Sequence, residues 1–406
     1  MALKIEKLIS SARGMGYESG RTVLVPDTLP GEEVEYRIKR ERKGVIEGEV
    51  TEVVTTSPLR VKPLCPLYGK CGGCDFQTVS PSDSASLKCD IVKDNLLRLG
   101  GVETLPPFLT PVYGETEGYR KRARIHVNPK TGEAGFLERE SSRLVRVRHC
   151  LLLDDRINAL LEEDKGTLYK EARGLMFENR VNRDTGLVEV PVFAGDDGLS
   201  FGDRSVRITL GDIEYHVTAN VFFQSNPLVF TKILDYVKSR TVGDTVMDLY
   251  SGVGTFSALF NNTDKTVWAV EREKKCLTLA KKNAPKAHSY TDDCAKWVTR
   301  GAKTHVDTVI VDPPRTGLDR AVIDMIGKWN PERVIYVSCD PVTMCRDIAL
   351  FTTHRVEEVS VYDAYYGTHH IESVALLQRN ENTTKSFISV GLDSDEYYVA
   401  KNKQKN

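Results

Sequence analysis

The sequence predicts an α/β protein with a doubly wound sheet in its C-terminal half, preceded by a small β-barrel and a mostly β central part. Three observations carry this reading. From residue 216 onward, apolar strands alternate with helical stretches, as in a largely parallel sheet covered on both faces. Before residue 57, short Val-, Ile- and Glu-rich runs are punctuated by Gly and Pro, which suits a closed barrel of the OB type. Between the two lie a cysteine cluster, one helix and a β-rich stretch with a basic core. At about 150 residues per domain, 406 residues correspond to two or three domains.

The elements follow in order. Strand-like runs fall at 22–26, 33–39 and 44–51, separated by turn signals such as Leu29-Pro30-Gly31. The cluster Cys65-Pro66-Leu67-Tyr68-Gly69-Lys70-Cys71-Gly72-Gly73-Cys74 comes next. A helix is expected over 82–99, with Ser80 or Ser82 as cap and Gly100-Gly101 as stop. Residues 106–215 read as mostly β, and their strongest feature is Tyr119-Arg120-Lys121-Arg122-Ala123-Arg124-Ile125-His126-Val127. Between 117 and 148 there are nine Lys+Arg against four Asp+Glu, a local net of +5. Such an alternating basic strand suits the tracking of RNA phosphates. Strands are expected at 245–250, 266–270, 308–311, 333–338 and 373–377, with helices near 227–240, 271–284, 318–328 and 341–351. The division is therefore 1–56, 57–215, 216–380 and an appended, partly disordered polar tail at 381–406.

Composition excludes several functions. With 56 Lys+Arg and 57 Asp+Glu the net charge is -1, so any nucleic-acid affinity must come from a local patch. No apolar run reaches the roughly 18 residues that span a bilayer, so no membrane partner is expected. The first residues hold no apolar signal core, and a cytoplasmic location is expected. In that compartment nine cysteines point to metal or catalytic thiols before disulfides.

Asp248-Leu249-Tyr250-Ser251-Gly252-Val253-Gly254-Thr255-Phe256 closes the first strand of the α/β part, where open sheets bind ligands. The third glycine of the dinucleotide fingerprint is absent, which favours another adenosine-bearing cofactor over a nicotinamide. Glu271 ends the next strand, 17 residues past Gly254, where an acid can take both ribose hydroxyls. Asp292 or Asp293 could accept from an adenine amino group, and Asp293 is the expected acceptor. Asp312-Pro313-Pro314-Arg315 and Ser338-Cys339-Asp340-Pro341 end the following strands at the same face. A carboxylate and a thiol over an adenosine site point to group transfer. Cys339 precedes the helix opened by Pro341, and a helix N-terminus is expected to lower its pKa from the usual ~8.5.

In these motifs, together with Phe223-Gln224-Ser225-Asn226 and His370-Ile371-Glu372, the chain resembles the S-adenosylmethionine-dependent RNA uracil-C5 methyltransferases. The resemblance runs from the N-terminus to about residue 379. It implies a Rossmann-like methyltransferase domain and an N-terminal TRAM domain that binds RNA. It further implies that Cys339 adds to uracil C6 and that Glu372 removes the C5 proton. Gln224 and Asp312 would lie at the junction of cofactor and uracil, while Tyr250 and Glu271 line the cofactor pocket. Gly367-Thr368-His369-His370 departs from the family pattern, with Gly and His where Pro is common.

Cys65, Cys71 and Cys74 supply three soft ligands, and the family pattern makes Cys150 the fourth. Four thiolates suit zinc or an iron–sulfur cluster, and spacing does not separate them. The resemblance implies a [4Fe–4S] cluster. The TRAM-plus-cluster layout is similar to the enzymes acting on 23S rRNA, although relatives of that layout also modify the tRNA T-loop. The chain is expected to act as a monomer. A non-catalytic RNA-binding assembly factor is the rival reading, and intact Gln224, Asp312, Cys339 and Glu372 argue against it.

Overall fold

The computed structural model describes residues 2–163, 165–178, 180–300 and 305–381, so the tail expected after Glu381 lies outside the described residues. Among those described, no helix is long and apolar enough to cross a membrane.

Six strands form the N-terminal sheet: Leu3–Lys4, Lys7–Leu8, Gly14–Glu18, Arg21–Val25, Glu33–Arg42 and Val45–Thr55. The first two are consecutive pieces of one segment. Leu3 pairs with Val34 at one end of the sheet and Lys7 pairs with Met15 at the other, so this segment closes the sheet on itself. Closure removes the exposed edges that a sheet this small would otherwise present. Ile5, Val23, Val25, Val34 and Ile46 are fully buried inside. The strand Gly14–Glu18 escapes sequence reading because Gly-Met-Gly resembles a turn.

The C-terminal sheet has eight strands in the order His288–Thr291, Thr266–Glu271, Thr245–Leu249, Thr308–Val311, Arg333–Ser338, Glu372–Arg379, His354–Asp363, Val112–Tyr113. The first five run parallel. Alternate residues feed opposite cores, because both faces are covered. Met247, Val309 and Tyr336 pack with the helices Pro81–Leu99, Arg320–Trp329 and Pro341–Ile348, whereas Val246, Ile310 and Ile335 pack with Pro227–Arg240. The helix Pro81–Leu99 starts where Ser80 Oγ accepts from the Asp83 N–H at 3.2 Å. It lies on this domain, against Pro341–Ile348 and His354–Asp363, and Val112–Tyr113 extends the same sheet. Both segments, from within 57–215, thus pack with the C-terminal sheet.

The central sheet is antiparallel, in the order Leu144–Arg146, Ala134–Leu137, Arg122–Val127, Val188–Gly195, Gly198–Phe201. Ala123, Ile125 and Val127 point into the core under the helices Asp155–Glu162 and Thr167–Phe177. Arg122, Arg124 and His126 occupy the other face, as strand periodicity requires.

Candidate active site

The strand order reverses between Thr245–Leu249 and Thr308–Val311, and the crevice at such a reversal is where open α/β sheets bind ligands. The glycine loop lies there. Gly252 (φ +54) has nothing within 4 Å of where a Cβ would stand, so the space above it is open. Gly254 (φ +79) serves packing instead, since a Cβ there would come within 3.2 Å of Ala280. Glu271 accepts the Gly252 N–H at 3.0 Å on one carboxylate oxygen and the Glu273 N–H at 2.7 Å on the other. That ties the acid to the loop and leaves lone pairs for vicinal hydroxyls. Tyr250 is held at φ +62, and its hydroxyl and that of Ser251 are buried without a partner among the described residues. Of the two acids after the third strand, Asp292 pairs with Arg300. Asp293 caps the helix Cys294–Thr299 and acts electrostatically on Tyr250.

Cys339 and Glu372 are brought together by one antiparallel strand. Glu372–Arg379 runs against Arg333–Ser338 with Ser373 opposite Ser338, so its first residue arrives beside Cys339. A parallel strand would have put its first residue at the far end of the sheet. Both side chains line one cavity of about 440 Å³, together with Arg315, Tyr365 and His370. Burial raises Glu372 to about 8, with Asp312 adding to the rise and Arg315 and Lys88 opposing it. Asp312 itself is pushed up to about 7 by desolvation and by Asp248, which burial likewise raises to about 7.

The thiol departs from expectation. Desolvation, then the nearby Glu372 and Asp312 carboxylates, push Cys339 up to about 12. The helix that follows does not reverse this, because Asp340 caps it and its carboxylate takes the Val342 and Thr343 N–H groups. Gln224 is buried, and its Oε1 accepts from Tyr365 Oη at 3.0 Å, leaving its amide N–H groups as donors.

The four cysteines lie along the same cavity and form no disulfide. Burial raises Cys71, Cys74 and Cys150, with Cys150 adding to the rise at Cys74. Among the described residues, however, no three His, Cys, Asp or Glu side chains converge closely enough to hold a metal ion. Arg120, Arg122 and Arg124 also line the cavity, and the Arg122 guanidinium sits 6.0 Å over the exposed Phe222 ring. The basic run is less free than its composition suggests. Lys121 pairs with Asp154, Arg124 with Glu189 and Arg143 with Glu138.

Sequence reading missed Lys88, whose ammonium is bonded to Asp363 at 2.7 Å with both side chains essentially inaccessible. Ser84 Oγ donates to the other Asp363 oxygen, and the pair underlies the loop that leads to Glu372. Ser84 and Lys88, one turn apart on a buried helix face, were the available signal.

A Rossmann-like sheet with a thiol, a desolvated carboxyl and an open glycine loop at one end has the parts that group transfer needs. Comparison with known proteins narrows the class. Residues 300–380 match the family described as tRNA (Uracil-5-)-methyltransferase. RNA methyltransferases of Halalkalibacterium halodurans (27% identical, 92% of this chain and 96% of the relative) and Treponema denticola (28%, 93% and 99%) match over almost their whole length; neither has been characterised. The structure of Pyrococcus abyssi tRNA (uracil-54, C5)-methyltransferase in complex with S-adenosyl-L-homocysteine shares the fold. Its TM-score is 0.71 at 22% identity, over 93% of this chain and 100% of that one. The C-terminal part thus matches the RNA uracil-5 methyltransferase family, and nearly the whole chain is similar to RNA methyltransferases.

Proposed function

We propose that this enzyme methylates C5 of a uridine in 23S rRNA, with S-adenosylmethionine as donor, through a covalent Cys339–uracil C6 bond. The observation that carries the reading is the placement of Glu372 beside Cys339 in one cavity, with Asp312 acting on both. The open cradle over Gly252, the unpartnered Tyr250 and Ser251 hydroxyls and the loop-bound Glu271 fit an adenosine-bearing donor. When bound, that donor supplies an electrophilic methyl group.

Uracil C5 is a weak nucleophile until C6 is attacked. Cys339 Sγ, as thiolate, forms the S–C6 bond, and the C5=C6 electron pair becomes available at C5. After C5 gains its methyl group, it carries both that group and its original hydrogen. Glu372 takes the C5 proton, the pair left behind reforms C5=C6, and the S–C6 bond breaks to return the thiolate. A carboxylate raised to about 8 is a stronger base than an ordinary one, which suits this abstraction. The Gln224 amide and the Asp312 carboxyl hold the ring edge and the donor side. The target base must leave its stack, at a cost of a few kcal/mol, which Arg120, Arg122 and the N-terminal TRAM-type barrel offset by binding RNA.

In this reading Cys65, Cys71, Cys74 and Cys150 are the ligands of a [4Fe–4S] cluster with a structural role, since uracil chemistry needs no electron. Their thiol chemistry and common cavity support it. Iron and sulfide in anaerobically purified protein are expected; zinc alone would replace the cluster assignment. The enzyme works as a cytoplasmic monomer.

The tRNA named for the matching family and for the archaeal fold relative favours a second substrate reading. The test is transfer of labelled methyl to unmodified 23S rRNA and, separately, unmodified tRNA, with Cys339→Ala as control. Label at C5 of an rRNA uridine, absent with the variant, is the expected result. Label in tRNA alone overturns the substrate, and label in neither overturns the activity.

A further inference from the structure

A half-buried thiol flanked by two carboxylates needs a counter-charge before it can attack uracil. The groups acting on Cys339 are Glu372 from the strand Glu372–Arg379, Asp312 and Arg315 from the loop after Thr308–Val311, and Tyr365 from the loop before Glu372. Arg315 is the one cation among them, and it lines the same cavity as the Cys339 sulfur. Its direction is set from the opposite side. Arg315 Nη2 lies 2.9 Å from His370 Nδ1, and because a guanidinium only donates, Nδ1 is the acceptor and His370 is neutral. Burial, the neighbouring His369 ring, Arg315 and Arg120 disfavour protonation of that imidazole and outweigh Asp75, so the acceptor persists at working pH.

His370 is in turn fixed by its neighbour. The His369 ring lies tilted against it, with centroids 4.4 Å apart and the planes at 46°. The His369 backbone N–H donates to Asp75 at 2.7 Å, and Nδ1 bonds the other carboxylate oxygen. The Asp75 and Phe76 N–H groups both donate to the Gly367 carbonyl, at 3.0 and 2.9 Å. The segment following Cys74 is thus clamped onto the loop that carries His370.

We propose that Arg315 is the cation that activates Cys339 and that His370 is the positioning residue that aims it, held in place by the Asp75–His369 latch. On ionisation the thiol proton passes to solvent through the open cavity. The negative sulfur then stands against the guanidinium, and the acceptor at Nδ1 keeps Arg315 from turning toward Glu372 instead.

This inference rests on Cys339 as nucleophile, and its test does not require methylation. Full-length protein is treated with iodoacetamide from pH 6.5 to 9.5, and alkylation of each cysteine is followed by peptide mass spectrometry. Arg315→Met is expected to slow Cys339 alkylation at pH 7.5 about tenfold, the effect of one pKa unit. His370→Phe, which keeps the arginine but removes its acceptor, is expected to give most of that loss. His370→Asn, which restores an acceptor oxygen, recovers much of the rate. Buried Cys89 and Cys345 report on folding, since they stay protected while the variant is folded. If Arg315→Met unfolds, Arg315→Lys and His370→Phe carry the comparison. Equal Cys339 rates in wild type and in the folded Arg315 and His370 variants overturn the proposal, whatever the methylation assay shows.

Discussion

Glu372, Asp312 and Asp248 share one physical situation: each is a carboxyl driven toward its neutral form by desolvation. In the proposed reaction this makes Glu372 the base, and Glu372→Gln should lower turnover by about 10²–10⁴-fold. Because Cys339 can still add while the C5 proton stays in place, a covalent RNA–protein species should accumulate on denaturing gels. Wild-type turnover should rise between pH 6.5 and 8.5 as the base ionises, and a profile falling over that range would remove Glu372 from the role. The same carboxyl groups cost stability. A folded pKa of about 7 for Asp312 lies above its unfolded value, so the folded state binds the extra proton. Stability is therefore retained at low pH and lost as pH rises through about 7. Asp312→Asn should be inactive yet more stable at pH 8, by about 1 kcal/mol in urea unfolding. A less stable variant would show that the carboxylate is compensated in the folded protein.

At the scale of elements, the helix Pro81–Leu99 acts as a brace for the catalytic loop. Its Lys88 is the partner of Asp363, and both are shut off from water. Removing one member of such a pair strands the other charge. Lys88→Met should cost about 3–5 kcal/mol, and Lys88→Met with Asp363→Leu should cost less than the single change. Chemical denaturation of both variants checks the order; a single variant as stable as wild type would mean that the pair contributes nothing. The helix itself was legible from its Ser cap, its apolar spacing and its Gly stop. Its allegiance was not, because residues assigned to the mostly β central part pair with a strand more than 200 residues away, as Val112 does with Tyr362.

For the whole molecule, the question is how a chain of net charge -1 binds RNA. The basic strand answers with one face. Arg120, Arg122 and Arg124 border the cavity, while the alternate positions Ala123 and Ile125 are core. If about five phosphates of single-stranded RNA are engaged, log affinity should fall with log salt at a slope near -3.5. Arg124→Ala should flatten that slope by about 0.7, since Arg124 must exchange Glu189 for a phosphate. An unchanged slope would take Arg124 out of the interface. The barrel fits the same scheme as a closed body whose first segment seals it, and it is tied to the rest of the chain by pairs such as Arg60–Glu32 and Lys7–Asp94.

What the sequence by itself determined is whatever local chemistry imposes over a few residues. The glycine loop, the acid at Glu271, the strand–turn–helix around Cys339 and the alternating β and α segments of the last half were all legible at short range. Tertiary structure alone decided which of these groups meet and in what charge state. The antiparallel entry of Glu372–Arg379 places Glu372 against Cys339, and no local pattern encodes which neighbour a strand selects. The ionisation of Cys339 inverted for a related reason. A helix N-terminus is a property of adjacent residues, whereas desolvation and the Glu372 and Asp312 carboxylates come from elements brought together only by folding. Burial and long-range charge act through space, and at this site they outweigh what acts along the chain.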